Sequence, residues 1–291
     1  MLPIQIKKNS LFLDLDKSIQ VGAKDRKKYK SASPFPHIFI DNFLPVKAAN
    51  LLLEKFPMHD KKNNDQLQGN YFEHNKKQTS PYDCHQEILN YFLFFNSTPF
   101  LSYLKELTGI DGLIPDPHFR GGGCHEIIKG GKLGIHADFR INKELHLERR
   151  INVLIYLNKD WKDSFGGNLE LWNKKMTSKI HSVKPIFNRC VIFNTDSDAF
   201  HGHPEPLNTP EGVSRKSIAL YYYSASKHLY KEIPALTTQF QRRNNDEKKE
   251  LRMHKKLKKQ IVESLLPPIV FSSIRATVIY IRDLLRMFKG R

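Results

Sequence analysis

Apolar and polar positions change their rhythm twice along this 291-residue chain. The first 34 residues mix short alternating runs ("IQI", "LFLDL") with a basic cluster, "KDRKKYK". "HIFIDNF" then reads as a strand closed by Pro45. "VKAANLLLEKF" follows with apolar residues at helical spacing. "HQEILNYFLFF" and "FLSYLKELTG" repeat that spacing, the second ending on Gly109, a residue suited to a helix C-cap. Between the first and second helices, residues 57–82 are rich in Asn, Lys and Gln and predict a long surface loop. From about Leu113 the texture becomes β-prone. "CHEII", "RINVLIYLN", "NLELWN", "KIHSVKP", "RCVIFN" and "KSIALYYYSA" are separated by Gly, Pro and Asn. Runs at this spacing predict a sandwich or barrel. The class expected is α+β with a mainly β core, a jelly roll whose N-terminal helices pack on one side.

The last quarter is different again. "RRNNDEKKELRMHKKLKKQ" is basic and helix-prone, and Pro267-Pro268 interrupts it. Beyond the prolines, Phe271, Ile274, Val278, Ile281, Leu285 and Phe288 recur at spacings of three and four. Arg275, Arg282, Arg286 and Lys289 mark another face, which predicts an amphipathic helix with a basic side. Three regions follow: a strand and basic segment over 1–33, a main domain over 34–226, and a basic helical extension over 227–291.

Charge sharpens the picture of the extension. The formal net charge is +17. Residues 227–291 hold 16 Lys/Arg against 6 Asp/Glu, a net of +10. Such an excess favours anionic partners. Aromatic residues are not interleaved with these lysines, which argues against a nucleic-acid grip. Two readings of the extension remain: docking on the main domain or a second copy in a homodimer, or a peripheral anchor on an anionic membrane. Cys84, Cys124 and Cys190 are far apart and lack zinc-finger spacing, which predicts reduced thiols in a cytosolic chain. The start, "MLPIQIKKNS", does not read as a signal peptide, and no run of about 18 apolar residues predicts a membrane span. The expected location is cytoplasmic, with the inner membrane face as the place of any peripheral contact.

Candidate chemistry begins at "GGKLGIHADFR". Residues i and i+2 of a strand point the same way, so His136 and Asp138 can reach one ion together. Two imidazoles and a carboxylate on one face of Fe(II), with the other face open, form a facial triad. The third ligand is sought in "DAFHGHPEPL", where His201 and His203 share parity and alternation does not choose between them. A 2-oxo acid cosubstrate, 2-oxoglutarate, needs a cation for its far carboxylate, and "SRKSIALYYY" offers Arg215 with Ser217 on the same side and Lys216 facing away. The other polar residues have plainer readings. His118 and His125 suit surface or strand-end positions, and Arg149 and Arg150 suit salt bridges or solvent. Trp161 and Trp172 suit the core, and Gly166-Gly167 a turn.

Taken in order, "PHIFIDNFLP", "GGKLGIHADF", "ERRINVLIYLN", "GGNLELW", "IFNRCVIFNTD", "FHGHPEPL" and "RKSIALYYY" make residues 34–224 resemble the prolyl 4-hydroxylase-like branch of the iron- and 2-oxoglutarate-dependent oxygenases. The resemblance implies a double-stranded β-helix, with His136, Asp138 and His201 on iron and Arg215 on the 2-oxoglutarate carboxylate. His203 then takes a structural or supporting role. The family pattern often has a tyrosine in the strand before the His-x-Asp. Here Ile127 or Leu133 stands in that region, and Asn152 is the expected substitute donor. The implied activity is a dioxygenase that uses O2 to hydroxylate an aliphatic C–H, with 2-oxoglutarate leaving as succinate and CO2. The resemblance points to a protein residue of the proline type as substrate. The basic extension points instead to a sugar of an anionic membrane glycolipid such as lipopolysaccharide. A non-catalytic binding module keeping the fold, and a zinc hydrolase on the same three ligands, are the alternatives from other classes.

Overall fold

The structure is a computed structural model, and it describes residues 2–7, 10–59, 68–69, 72–142, 144–225, 238–241 and 243. The predicted amphipathic helix of the extension lies outside the described residues. The chain opens with a hairpin, β1 (Gln5–Lys7) and β2 (Ser10–Phe12), and a helix, α1 (Leu15–Lys30). The helical pattern of α1 is hidden because the helix buries little beyond Ser18, Gly22 and Tyr29. Its ends carry the signal instead. Asp14 accepts from the Lys17 amide at 3.0 Å, and Lys27, Lys28 and Lys30 occupy the last turn, where cations oppose the helix dipole.

The order continues through β3 (His37–Ile40), α2 (Val46–Glu54), β4 (Gln68–Gly69), β5 (Glu73–Thr79), α3 (Gln86–Phe95) and α4 (Thr98–Thr108). Gly109 caps α4 in the left-handed region, as its position predicts. The β-rich half then supplies β6 (Ile114–Pro115), β7 (Gly123–Ala137), β8 (Ile141–Asn142), β9 (Leu147–Tyr156), β10 (Leu169–Trp172), β11 (Lys179–Val183), β12 (Cys190–Asn194), β13 (His201–His203), β14 (Arg215–Ala225) and β15 (Gln239–Phe240). Among the described residues, all strands beyond the first hairpin join one curled antiparallel sheet, with the central path β11-β10-β13-β7-β14-β9-β12-β3. This is the mainly β core with helices that the pattern predicts.

Period-2 alternation divides the sheet into a helix-covered face and a cavity face. On β9, Ile151, Val153 and Ile155 join Phe92, Phe95, Phe100 and Leu104 of the helices in one core. Their neighbours Asn152, Leu154 and Tyr156 line the cavity on the other face. β14 repeats the division, with Ile218, Leu220 and Tyr222 under the helices and Arg215, Ser217 and Tyr221 on the cavity side. Each large apolar side chain fully buried in that core contributes about 1.5–3 kcal/mol. The helices therefore hold the sheet from one side and leave the other free for chemistry.

Besides α1, which replaces the strand and basic segment expected there, two segments depart from expectation. The polar stretch 57–82 is not all loop, because β5 runs along β7 from Glu73↔Leu133 to Thr79↔Cys124. Its inward residues, Glu73, Lys76 and Gln78, line a polar cavity rather than a core, so the strand shows no apolar alternation. β15 is the second departure. It comes from residues assigned to the extension, yet it pairs with the end of β7 at Gln239↔Ala137 and Phe240↔His136.

Candidate active site

The long strand β7 builds the site by pairing with two partners on one edge. Its first half pairs with β14, setting Arg215 opposite Ile127, and its second half with β13, setting His201 opposite His136. One strand thus brings a distant histidine beside the His-x-Asp segment and a buried arginine further along the same cavity. That cavity has a volume of about 230 Å³.

Ligand atoms of His136, Asp138 and His201 lie within 4.8 Å of one another, and all three residues are buried. The Nε2 atoms of both histidines stand 3.6 Å from Asp138 carboxylate oxygens. Each Nδ1 is placed to donate to a backbone carbonyl, that of Gly134 at 2.8 Å for His136 and Ala199 at 2.9 Å for His201. These bonds assign the hydrogen to Nδ1 and leave the Nε2 lone pairs facing the shared space. Burial, reinforced by the neighbouring His136, lowers the pKa of His201 to about 4, so its ring is neutral. Burial alone would raise the Asp138 pKa, but Arg149 and the two imidazoles hold it well below its usual range. Two imidazoles presenting Nε2 lone pairs and an ionised carboxylate are the donor set a divalent first-row metal takes. His203 is not a member of this cluster.

Asp138 is held from behind. Asn152 Nδ2 donates to Oδ2 at 2.7 Å, and the Arg149 guanidinium sits 3.1 Å from the same oxygen. Arg149 also donates to Asn152 Oδ1 at 3.0 and 2.7 Å. Its guanidinium carbon lies 3.4 Å from the Tyr221 ring centre and 4.7 Å from that of Phe139. A bulge positions it there: Tyr222 pairs with Ile151 and Tyr223 with Arg149, so Arg150 is skipped. The extra residue turns Arg149 onto the cavity face, while Arg150 bonds Ser224. Asn152 does border the cavity, as expected of a cosubstrate donor, but its amide is engaged between Arg149 and Asp138.

At the other end, Arg215 is buried and has no carboxylate partner among the described residues. Its Nε donates to the Gly167 carbonyl at 2.8 Å and its terminal nitrogen to the Tyr156 hydroxyl at 3.2 Å. Gly167 permits this contact, because its φ is +70° and a Cβ there would meet Leu207 Cδ2 at 2.4 Å. A buried, unpaired guanidinium is costly unless an anion completes it. The chemistry therefore fits a carboxylate beside Arg215, with Ser217 on the same wall. Lys216 turns away and bonds the Ser214 carbonyl.

Tyr156 is the residue that pattern reading missed. It shares parity with Asn152 on β9, and that alternation was the available signal. His125 stands near the start of β7, one of its two expected positions, rather than on the surface. It borders the cavity, and burial, with Lys76 nearby, keeps its pKa well below the usual value. His118 is exposed, as expected. Trp161 is buried and Trp172 half-buried. A larger depression of about 530 Å³ lies between β2 and α3, lined largely by apolar residues such as Leu11, Phe12, Tyr91 and Phe94, and it shares no lining residue with the cavity of the donor set.

Similarity to a known sequence family falls on the β-rich half of the chain. Residues 122–223 match the sequence model of the 2OG-Fe(II) oxygenase superfamily. The matched span contains His136, Asp138, His201, Tyr156 and Arg215. The chain is also similar to a prolyl-4-hydroxylase from Pseudomonas putida, at 16% identity and TM-score 0.48, over 70% of this chain and 99% of that one. A prolyl hydroxylase from Trichoplax adhaerens, solved with a hypoxia inducible factor peptide fragment, is similar at 18% identity and TM-score 0.49, over 72% and 92% of the two chains. HygX from Streptomyces hygroscopicus, solved with nickel and 2-oxoglutarate, is similar at 11% identity and TM-score 0.45, over 69% and 86%. Residues 122–223 are thus similar in sequence to the 2OG-Fe(II) oxygenase superfamily over about a third of the chain.

Proposed function

We propose that this protein is an Fe(II)/2-oxoglutarate-dependent dioxygenase that hydroxylates an aliphatic C–H bond of a protein residue of the proline type. The observation that carries the reaction class is the juxtaposition, in one cavity, of the His136–Asp138–His201 donor set and the uncompensated Arg215. In this reading His136, Asp138 and His201 hold the iron, and Arg215, Tyr156 and Ser217 hold the far carboxylate of 2-oxoglutarate. With O2, that pair supplies the oxidation that turns C–H into C–OH while 2-oxoglutarate leaves as succinate and CO2. The chain's own residues then have distinct tasks. Arg149 and Asn152 fix the Asp138 rotamer and keep it ionised. The Gly134 and Ala199 carbonyls hold both imidazoles in the tautomer that presents Nε2. Phe139, Phe240 and Tyr221 give the cavity apolar walls that limit water. The proline-type substrate is supported by the ordered motifs that resemble the prolyl 4-hydroxylase-like branch.

Succinate release from 2-oxoglutarate, measured with Fe(II) and with peptides offered as substrate, tests the proposal. Iron binding without 2-oxoglutarate affinity, or no iron binding, would refute the reaction class. Peptides that fail to stimulate succinate formation, where a glycolipid succeeds, would replace the substrate. Substitution His201→Ala should abolish iron binding, whereas His203→Ala should retain it.

A further inference from the structure

His203 lies two residues beyond His201 and is buried at 2% exposure, yet neither of its ring nitrogens has a hydrogen-bond partner. Among the described residues, it is the one side chain with two such orphaned atoms. A neutral imidazole carries one N–H donor and one lone pair, so whichever tautomer it adopts, a donor is left unused in the interior. Leaving such a group unpaired costs free energy, and native interiors rarely do so without a ligand, water or ion to complete it.

Its position shows where a partner would lie. β13 carries His201 and His203 with the same parity, and a register shift between them sets His203 opposite Leu133 on β7. Gly202 makes the close approach possible, since a Cβ there would stand 2.6 Å from the Gly134 carbonyl oxygen and 2.8 Å from that of Leu133. The imidazole therefore faces the same cavity as His201, but nearer its Arg215 end. It borders that cavity together with Tyr156, Arg215 and Ser217. On its other side it borders a smaller cavity edged by Gly167, the residue whose carbonyl holds Arg215 Nε. An imidazole N–H on the same cavity wall as an unpaired guanidinium can donate to the same anion.

We propose that His203 is a specificity-determining donor of the cosubstrate pocket, its imidazole N–H closing on the far carboxylate of a bound 2-oxo dicarboxylate alongside Arg215 and Tyr156. The proposal rests on the 2-oxoglutarate reading of the site. It adds a residue that separates dicarboxylate from monocarboxylate 2-oxo acids, because only the former places an anion at that end.

Calorimetric binding to the full chain, loaded with Mn(II) without oxygen, reads this directly. Two probes are compared: 2-oxoglutarate, and 2-oxobutanoate, which has the same chelating end and no far carboxylate. His203→Phe keeps an aromatic ring and removes both nitrogens, and His203→Val serves the same purpose with a smaller side chain should the ring not be accommodated. The expected result is that 2-oxoglutarate affinity falls about tenfold, the scale of one hydrogen bond to a charged group, while 2-oxobutanoate affinity is unchanged. Equal loss for both probes would mean that His203 only supports the packing of β13, and no loss for either would mean that water satisfies the ring; both results overturn the proposal. A wild-type chain that binds neither probe refutes the 2-oxoglutarate reading itself, a result distinct from the other two.

Discussion

At the scale of single residues, the site is governed by charges brought into a buried space and made to compensate one another. Asp138 is ionised because Arg149 stands beside it, and Arg149 is tolerated because Asp138, Asn152 and two aromatic faces surround it. Removing one partner of a buried pair leaves the other exposed to the low dielectric, at about 3–5 kcal/mol. Arg149→Met should therefore destabilise the metal-free protein by that order and weaken metal binding about 10- to 100-fold, as loss of a group behind a metal ligand does. Denaturation with and without Mn(II), together with metal titration, checks both effects, and saturating metal should recover part of the lost stability. Acid acts through the same residues. His201 titrates at about 4 in the folded chain, below the ordinary 6.5 of the unfolded one. The unfolded chain thus binds more protons across that window, and metal-free stability is lost as pH falls from 6.5 toward 4. His125 and His203 are shifted the same way, and Asp138 adds a further loss below its usual carboxylate range. Urea midpoints should be flat from pH 8 to 7 and decline below 6.5. His201→Phe should make that decline shallower without abolishing it.

At the scale of elements, the site depends on how closely β13 can approach β7. Gly202→Ala would place a methyl group against two backbone carbonyl oxygens that have no rotamer by which to yield. Overpacking of this kind costs about 1–3 kcal/mol. Because β13 carries His201, metal affinity should fall more steeply than stability, a split that titration and thermal melting resolve together. β15 acts from the other edge of β7. Phe240 stacks on Phe72 with ring centres 4.9 Å apart and lies 5.3 Å from the His136 ring, roofing the donor set. Phe240→Ala should leave metal and 2-oxoglutarate binding intact while raising succinate release in the absence of substrate several-fold, since the roof no longer limits water. The contrast between these elements explains what could be read in advance. β7, β13 and β14 carry a His-x-Asp pair, two candidate histidines and a strand-borne arginine; their spacing leaves His201 and His203 open, and the family resemblance chooses His201. β5 and β15 could not be found that way, because their inward residues face a polar cavity or complete an edge, and neither task leaves an apolar rhythm. Arg149 does form a salt bridge, one of its expected roles, but its partner Asp138 was hidden, because a bulge rather than parity turned Arg149 inward. Tyr156 was legible from the alternation of β9 once Asn152 was placed on the cavity face.

At the scale of the whole molecule, charge is divided from chemistry. The cavity balances its cations closely, Arg149 against Asp138 and Lys76 against Glu73, and leaves only Arg215 for a ligand among the described residues. Most of the chain's +17 excess is elsewhere: residues 227–291 account for +10. The spacing of Phe271, Ile274, Val278, Ile281, Leu285 and Phe288 predicts an apolar face beside the basic one, the combination that lies on an anionic membrane. Each basic residue near such a surface contributes about 1 kcal/mol, and the attraction is screened by salt over about 10 Å at 0.1 M. Full-length protein should therefore sediment with vesicles containing phosphatidylserine or phosphatidylglycerol, less so as salt rises, and should ignore neutral vesicles. The informative comparison is a chain shortened to end at Asn244. Ending it at Ala225 would remove β15 and confuse loss of the roof with loss of the anchor. Ending it at Asn244 keeps Gln239 and Phe240 on β7 and removes the predicted amphipathic helix. That shortened chain should keep its 2-oxoglutarate affinity and lose vesicle binding. If full-length protein fails to bind anionic vesicles at low salt, the membrane reading of the extension fails.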